Sequence, residues 1–215
     1  MSRPYHQFCG VAKALDVVGE RWTLLVVREL LLGPRRFGEI SEALTGVPPA
    51  LLTQRLKDLE AAGLVEKAGR RAPYALTETG RELEPVVLAL GRFGARYLVA
   101  PEEGDRMDMR WAMLSLQRRY VGDHGRWTLE LRPGDGVFTV ELGAAGRGVS
   151  GRSGAIEVRD GAATAPDVVV AGPAMAIGGL FLGRARLDTL VEGAVVTLEG
   201  ERAAMEALLA GLGLA

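Results

Sequence analysis

The 215 residues are 48% hydrophobic and 25% charged with a formal net charge of −1, a globular composition long enough for one or two cored domains. The one cysteine, Cys9, excludes an intramolecular disulfide, and Cys9 with His6 and His124 is too small a donor set for a structural zinc site. Apolar runs such as 24–27 and 30–32 fall far short of the roughly 18–20 residues of a membrane span. Residues 1–10 carry no secretion-signal pattern, so the expected location is the cytoplasm, with no membrane partner.

Residues 11–32 place apolar side chains at 11, 15, 18, 22, 25, 26 and 30, which predicts one helix stopped by Gly33-Pro34. A short helix is expected over 37–44, ended by Thr45-Gly46. Pro48-Pro49 then opens a helix to Ala62, with Gly63 at the expected C-terminal cap. Residues 64–67 and 74–76 read as two short strands around a turn at 68–73. Thr77 is the expected N-cap of a long helix reaching Val99.

The run 101–105 (PEEGD) is the expected linker, dividing a 1–100 domain from a 106–215 domain. Residues 1–100 hold 14 Lys+Arg against 11 Asp+Glu, and 101–215 hold 12 against 16, a modest asymmetry by which a polyanion contact is expected in the first part rather than the second. The second part reads as helix 107–120, strands 127–131, 137–142, 155–158 and 168–170, helices 175–182 and 186–191, strand 195–199 and helix 203–214. The fold class is therefore α+β.

In the first domain the order helix, helix, turn, helix, two-stranded hairpin is that of a winged helix-turn-helix. In the 48–62 helix Leu52, Leu56 and Leu59 share one side, while Ala50, Thr53, Gln54 and Lys57 lie on the other with a size and polarity suited to a major groove. Arg55 sits between the two sides, within reach of a phosphate. Arg35 and Arg36, with the N-terminal amides of the preceding helix, would favour a phosphate. Lys67, Arg70 and Arg71 make a basic hairpin tip. Each cluster taken singly also fits a solvated charged face.

The strings CGVAKAL at 9–15, GERWTLLVVREL at 19–30, GPRRFGEI at 33–40, LTQRLKDLEAAGLV at 52–65 and YALTETG at 74–80 closely resemble the HxlR-type bacterial regulators, over roughly residues 8–98. The resemblance implies a winged-helix homodimer on a pseudo-palindromic double-stranded operator, with dimer contacts from the 11–32 and 85–98 regions. The chain departs from the family at Pro48 and Ala50, where a serine and a basic residue are common, so the DNA contacts are expected chiefly from Thr53, Gln54, Arg55 and the wing. Cys9 falls on a position that senses oxidants or electrophiles in some members, although Gly10 replaces the usual proline. The plainer reading of Cys9 is a small buried apolar residue.

The second domain has no carboxylate pair beside a base, no phosphate loop and no metal spacing. Ser150 and Ser153 have only His6 and His124 for partners, so an enzyme is not expected and no cofactor is implied. Met107, Trp111, Met113, Trp127, Phe138, Met175, Phe181 and Met205 form a soft apolar inventory, read either as core filling or as a pocket for a small hydrophobic effector. The strings WTLEL at 127–131, GVFTVEL at 136–142, AIEVRDG at 155–161, PDVVVAGP at 166–173, LFLG at 180–183 and VVTLEG at 195–200 resemble a sterol-carrier-protein-type lipid-binding domain over about 106–214. That resemblance implies a five-stranded sheet with helices on one side of a tunnel. Two alternatives stay open: a hydrophobic-ligand carrier whose helical half only dimerises, and a thiol switch through Cys9.

Overall fold

A computed structural model describes residues 4–69, 71–98, 108–143 and 156–214. The expected linker at 101–105 lies outside them. The chain divides into two compact units, Met1–Val87 and Leu88–Ala215. No helix among the described residues is long and apolar enough to cross a membrane.

The first unit opens with α1 (Gly10–Val18) and α2 (Thr23–Leu30). The single helix expected over 11–32 is thus two. Periodicity carries across the break, which hides it in the sequence, but Gly19 caps α1 and Trp22 sits at φ 78° ahead of α2. A left-handed tryptophan costs about 1–3 kcal/mol and persists only where its surroundings impose it. Helices α3 (Phe37–Ala43) and α4 (Pro49–Ala61) follow, joined by a turn in which Gly46 adopts φ 86°. Leu52, Leu56 and Leu59 of α4 are buried with Val26, Val27 and Leu30 of α2 and Ile40 of α3.

Strands β1 (Val65–Lys67) and β2 (Tyr74–Leu76) pair antiparallel with Lys67 opposite Tyr74. The long helix expected from Thr77 to Val99 is instead α5 (Glu78–Arg81), α6 (Glu84–Gly94) and a 3-10 turn at Ala95–Tyr97. Pro85 has no amide hydrogen to continue α5's ladder, yet it fits the first turn of a new helix. Thr77 caps α5, its hydroxyl accepting the Gly80 amide at 3.0 Å.

The second unit contains α7 (Met109–Arg119), β3 (Trp127–Pro133), β4 (Phe138–Leu142), β5 (Ile156–Asp160), β6 (Val168–Gly172), α8 (Ala174–Phe181), α9 (Leu187–Glu192), β7 (Thr197–Gly200) and α10 (Arg202–Gly211). The five strands form one mixed sheet in the order β5-β4-β3-β6-β7. Strand β3 runs parallel to β6, and the other neighbours are antiparallel. In register, Leu129 pairs with Val140 and Val168, and Leu131 with Phe138 and Val170, so these side chains share one apolar face. Helices α8 and α10 both reach β3, and Ile177, Leu180, Met205 and Leu208 are buried. Glu130 and Thr139 pair with each other and are buried too. The Glu130 carboxylate accepts Arg132 Nε at 2.6 Å and the Ala163 amide at 2.8 Å, which offsets the cost of its burial.

Candidate nucleic-acid interface

Helix α4 has two chemically distinct sides. Leu52, Leu56 and Leu59 are at most 1% exposed, whereas Ala50, Thr53, Gln54 and Lys57 face solvent. The exposed polar groups are partly engaged within the helix. The Thr53 hydroxyl donates to Pro49 O at 2.8 Å, and Gln54 Nε2 donates to Asp58 Oδ1 at 2.8 Å. Pro48 offers no side-chain cap, and Pro49 occupies the first turn, where a missing amide hydrogen costs nothing.

Arg55 lies elsewhere than expected. Its guanidinium donates to Glu20 Oε2 at 2.9 Å, Arg21 O at 3.1 Å and Asp58 Oδ2 at 3.2 Å, and the side chain is 13% exposed. It ties α4 to the turn between α1 and α2. Sequence spacing puts Arg55 at the edge of the polar side but cannot show Glu20 and Arg21 O folding back against it.

Arg35 is likewise committed, its Nη1 donating to the buried Glu29 carboxylate at 2.5 Å. Arg36 is exposed at the start of α3, but the amide expected to help bind a phosphate there already donates to Glu39 Oε2 at 2.6 Å. The anion that satisfies this helix start comes from the chain itself.

In the hairpin, Lys67 Nζ lies 4.3 Å from the centroid of the Tyr74 ring and 3.3 Å from its hydroxyl, while Arg71 is exposed. Arg70 lies outside the described residues. The structure thus brings Lys67 together with Tyr74, a residue that spacing and charge do not single out. Glu29 also escapes such reasoning, although a carboxylate one helical turn after Val26, on the apolar side of α2, is a legible signal of a buried ion pair.

Cys9 is exposed, which corrects the reading of it as a buried apolar residue. It precedes α1, and the nearby Ala12 and Val11 backbone amides hold its pKa below the usual thiol value. Phe8, Val11, Leu15 and Val17, in the same N-terminal stretch, are exposed too.

In the second unit, Met113, Phe138, Phe181 and Met205 are buried, and Trp111 and Trp127 are half-buried. Met175 does not line an interior. It is 74% exposed, on the outward side of α8, while Ile177, Leu180 and Phe181 turn inward. Met107 lies outside the described residues.

Comparison with known proteins fits this geometry. Residues 17–102 match the model of the HxlR-like helix-turn-helix family. An uncharacterized HTH-type transcriptional regulator of Mycobacterium tuberculosis (strain ATCC 25618 / H37Rv) is 42% identical over 104 residues, which is 45% of this chain and 65% of that protein. The chain therefore spans just under two thirds of that relative's length. YvaP of Bacillus subtilis (strain 168), another uncharacterized HTH-type transcriptional regulator, is 34% identical over 91 residues, 40% of this chain and 84% of YvaP. Among solved structures, quinone-bound YodB from B. subtilis is 32% identical, with 40% of this chain and 96% of YodB covered at a TM-score of 0.37. The chain belongs to the HxlR-like helix-turn-helix family.

Proposed function

We propose that the chain is a homodimeric, sequence-specific DNA-binding transcription regulator acting as a repressor, and that a small hydrophobic effector bound in the 106–215 region modulates its affinity for DNA. The observation that carries this reading is the two-sidedness of α4, whose leucine side closes the core while Ala50, Thr53, Gln54 and Lys57 stand in solvent. In a dimer two such helices enter successive major grooves roughly 34 Å apart. Lys67, Arg70 and Arg71 anchor phosphates, with Arg36 beside α3, while Arg35 and Arg55 brace that surface through their ion pairs. Exposed apolar side chains on α1 (Val11, Leu15, Val17) and α6 (Val86, Leu90, Phe93) supply the surface for dimerisation.

The effector part of the proposal draws on the resemblance to sterol-carrier-type domains, whose five-stranded architecture agrees with the sheet described above. An effector acts only by binding one arrangement of the DNA-binding heads better than the other.

A gel-shift salt series on the duplex upstream of the chain's own gene tests the DNA-binding reading. Arg70→Ala with Arg71→Ala should weaken binding and flatten the salt slope by about 0.9 for each phosphate that is no longer neutralised. Unchanged affinity and slope would remove the wing from the reading, and absence of any sequence preference would favour the carrier alternative. The exposed, acidified thiol of Cys9 favours a second reading as a redox switch. Under it, Cys9→Ser abolishes a response to oxidants and spares the response to apolar molecules.

A further inference from the structure

Glu29 sits on the inner side of α2 between Val26 and Leu30, its side chain 0% exposed. A carboxylate so placed is tolerated only with charged partners. Among the described residues its guanidinium partners include Arg28 (Nη2 at 2.7 Å, Nε at 3.0 Å) and Arg35 (Nη1 at 2.5 Å). Arg28 is its neighbour in the helix. Arg35 comes from the segment after α2, and its backbone has a second task. The Arg35 amide donates to Tyr74 O at 2.9 Å, and the Tyr74 amide donates to Arg35 O at 2.8 Å. Tyr74 in turn stands opposite Lys67 in β1, with the Lys67 ammonium over its ring. Arg35, Tyr74 and Lys67 are therefore three consecutive positions across one rung of backbone pairing.

Among the described residues, the segment after α2 pairs with the hairpin backbone through one isolated bridge, Arg35 with Tyr74, outside the regular strands. One bridge is a weak hold on a two-stranded ribbon that is itself only three residues long on each side. The ion pair to Glu29 gives the same residue a second anchor, set in the core of the helical body. Buried ion pairs add little stability over apolar packing, and their best use is to fix one geometry among several.

We propose that Glu29 is a positioning residue of the wing: through Arg35 it fixes the Arg35–Tyr74–Lys67 rung, so that the Lys67 ammonium meets a DNA phosphate in a set orientation. This rests on the DNA-binding reading above. Glu29 itself touches no nucleic acid.

Glu29→Gln makes the chain more positive, so electrostatics alone would tighten its grip on DNA. Loss of wing alignment does the opposite, and the sign of the change separates the two. The experiment is fluorescence anisotropy of the full chain on a duplex of roughly 30 base pairs of arbitrary sequence across a salt series, since phosphate contacts are sequence-independent. Lys67→Ala should weaken binding about fivefold to tenfold and lower the salt slope by about 0.9, as expected for one phosphate contact. Glu29→Gln should weaken binding in the same range with a similar loss of slope, and the double variant should bind little worse than either single one. Melting curves run alongside confirm that each variant is folded at the assay temperature. A merely structural role lowers the melting temperature, leaves the salt slope at the wild-type value and multiplies with Lys67→Ala. That outcome, or tighter binding by Glu29→Gln, overturns the proposal. Should Glu29→Gln not fold, Arg35→Lys takes its place in the same cycle under the same criteria, because lysine keeps the charge but loses the planar fork. A wild-type chain that binds no duplex at low salt overturns the DNA-binding reading and this inference together, whereas wild-type binding with multiplicative variants overturns the inference alone.

Discussion

Replacing Gly80 with alanine tests how tightly the base of the hairpin is built. Gly80 lies in α5, and a Cβ there would stand 1.9 Å from Leu64 O and 2.9 Å from its carbonyl carbon. Real Cβ atoms do not come within 3.0 Å of such neighbours, so helix and strand would have to part by about 1 Å. The obstacle is backbone, and Leu64 O already accepts the Thr77 amide at 3.1 Å, so it cannot retreat without breaking that bond. Overpacking of this kind costs about 1–3 kcal/mol, against a helix-propensity gain of at most about 1 kcal/mol. The expected balance is a loss of about 1–2 kcal/mol, concentrated at the junction of α4, β1 and α5. Hydrogen–deuterium exchange on the full chain should show faster exchange in peptides covering 60–81, with peptides from the β3–β6 sheet unchanged. Gly38→Ala is the control. That glycine also lies in a helix but has nothing within 4 Å of the added atom, so the same substitution should stabilise by about 0.5–1 kcal/mol. If Gly80→Ala exchanges like the wild type and melts no lower, the close approach of α5 to Leu64 is wrong.

Thr77→Ala removes both the cap on the Gly80 amide and the 2.7 Å donation to Gly63 O, and should cost about 1–2 kcal/mol in chemical denaturation. Met205→Ala, at a site 0% exposed, should destabilise the second unit by about 2–5 kcal/mol, whereas Met175→Ala, at a site 74% exposed, should stay within about 0.5 kcal/mol of wild type. Equal effects of the two methionine changes would contradict the burial difference. Cys9 should alkylate with a pH midpoint below that of the urea-unfolded chain, because its lowered pKa yields thiolate at lower pH; coincident midpoints would show that the α1 amides do not act on the sulfur.

Most elements are legible because their signals are local. Gly33-Pro34, Gly46 and Gly63 mark chain reversals, and the 52, 56, 59 leucine spacing defines the inner side of α4 without reference to any neighbour. Alternation in 127–131 and 137–142 likewise locates β3 and β4, and all five strands of the second unit fall near their expected places. Where local signals mislead, the reason is specific. Hydrophobic period persists through the α1–α2 break because each helix carries apolar residues at helical spacing, buried on α2 and partly exposed on α1, and the Gly19 cap and the left-handed backbone at Trp22 separate them. The split between α5 and α6 is encoded in Pro85 but masked by continuous apolar spacing.

Composition and spacing alone determined that this chain carries a helix-turn-helix with a basic hairpin followed by an α+β region, since periodicity and turn chemistry act over a few residues. Only the tertiary structure decided which charges remain available. Arg35 and Arg55 look like the neighbouring arginines in sequence, yet Glu29, Glu20 and Asp58 claim them. The same holds for Cys9, whose plainer reading from sequence is a small buried residue and which the fold leaves exposed. Ion pairing and burial depend on which distant segments meet, and a guanidinium reaches the strongest acceptor the fold brings within a few ångströms, wherever that acceptor lies in the chain.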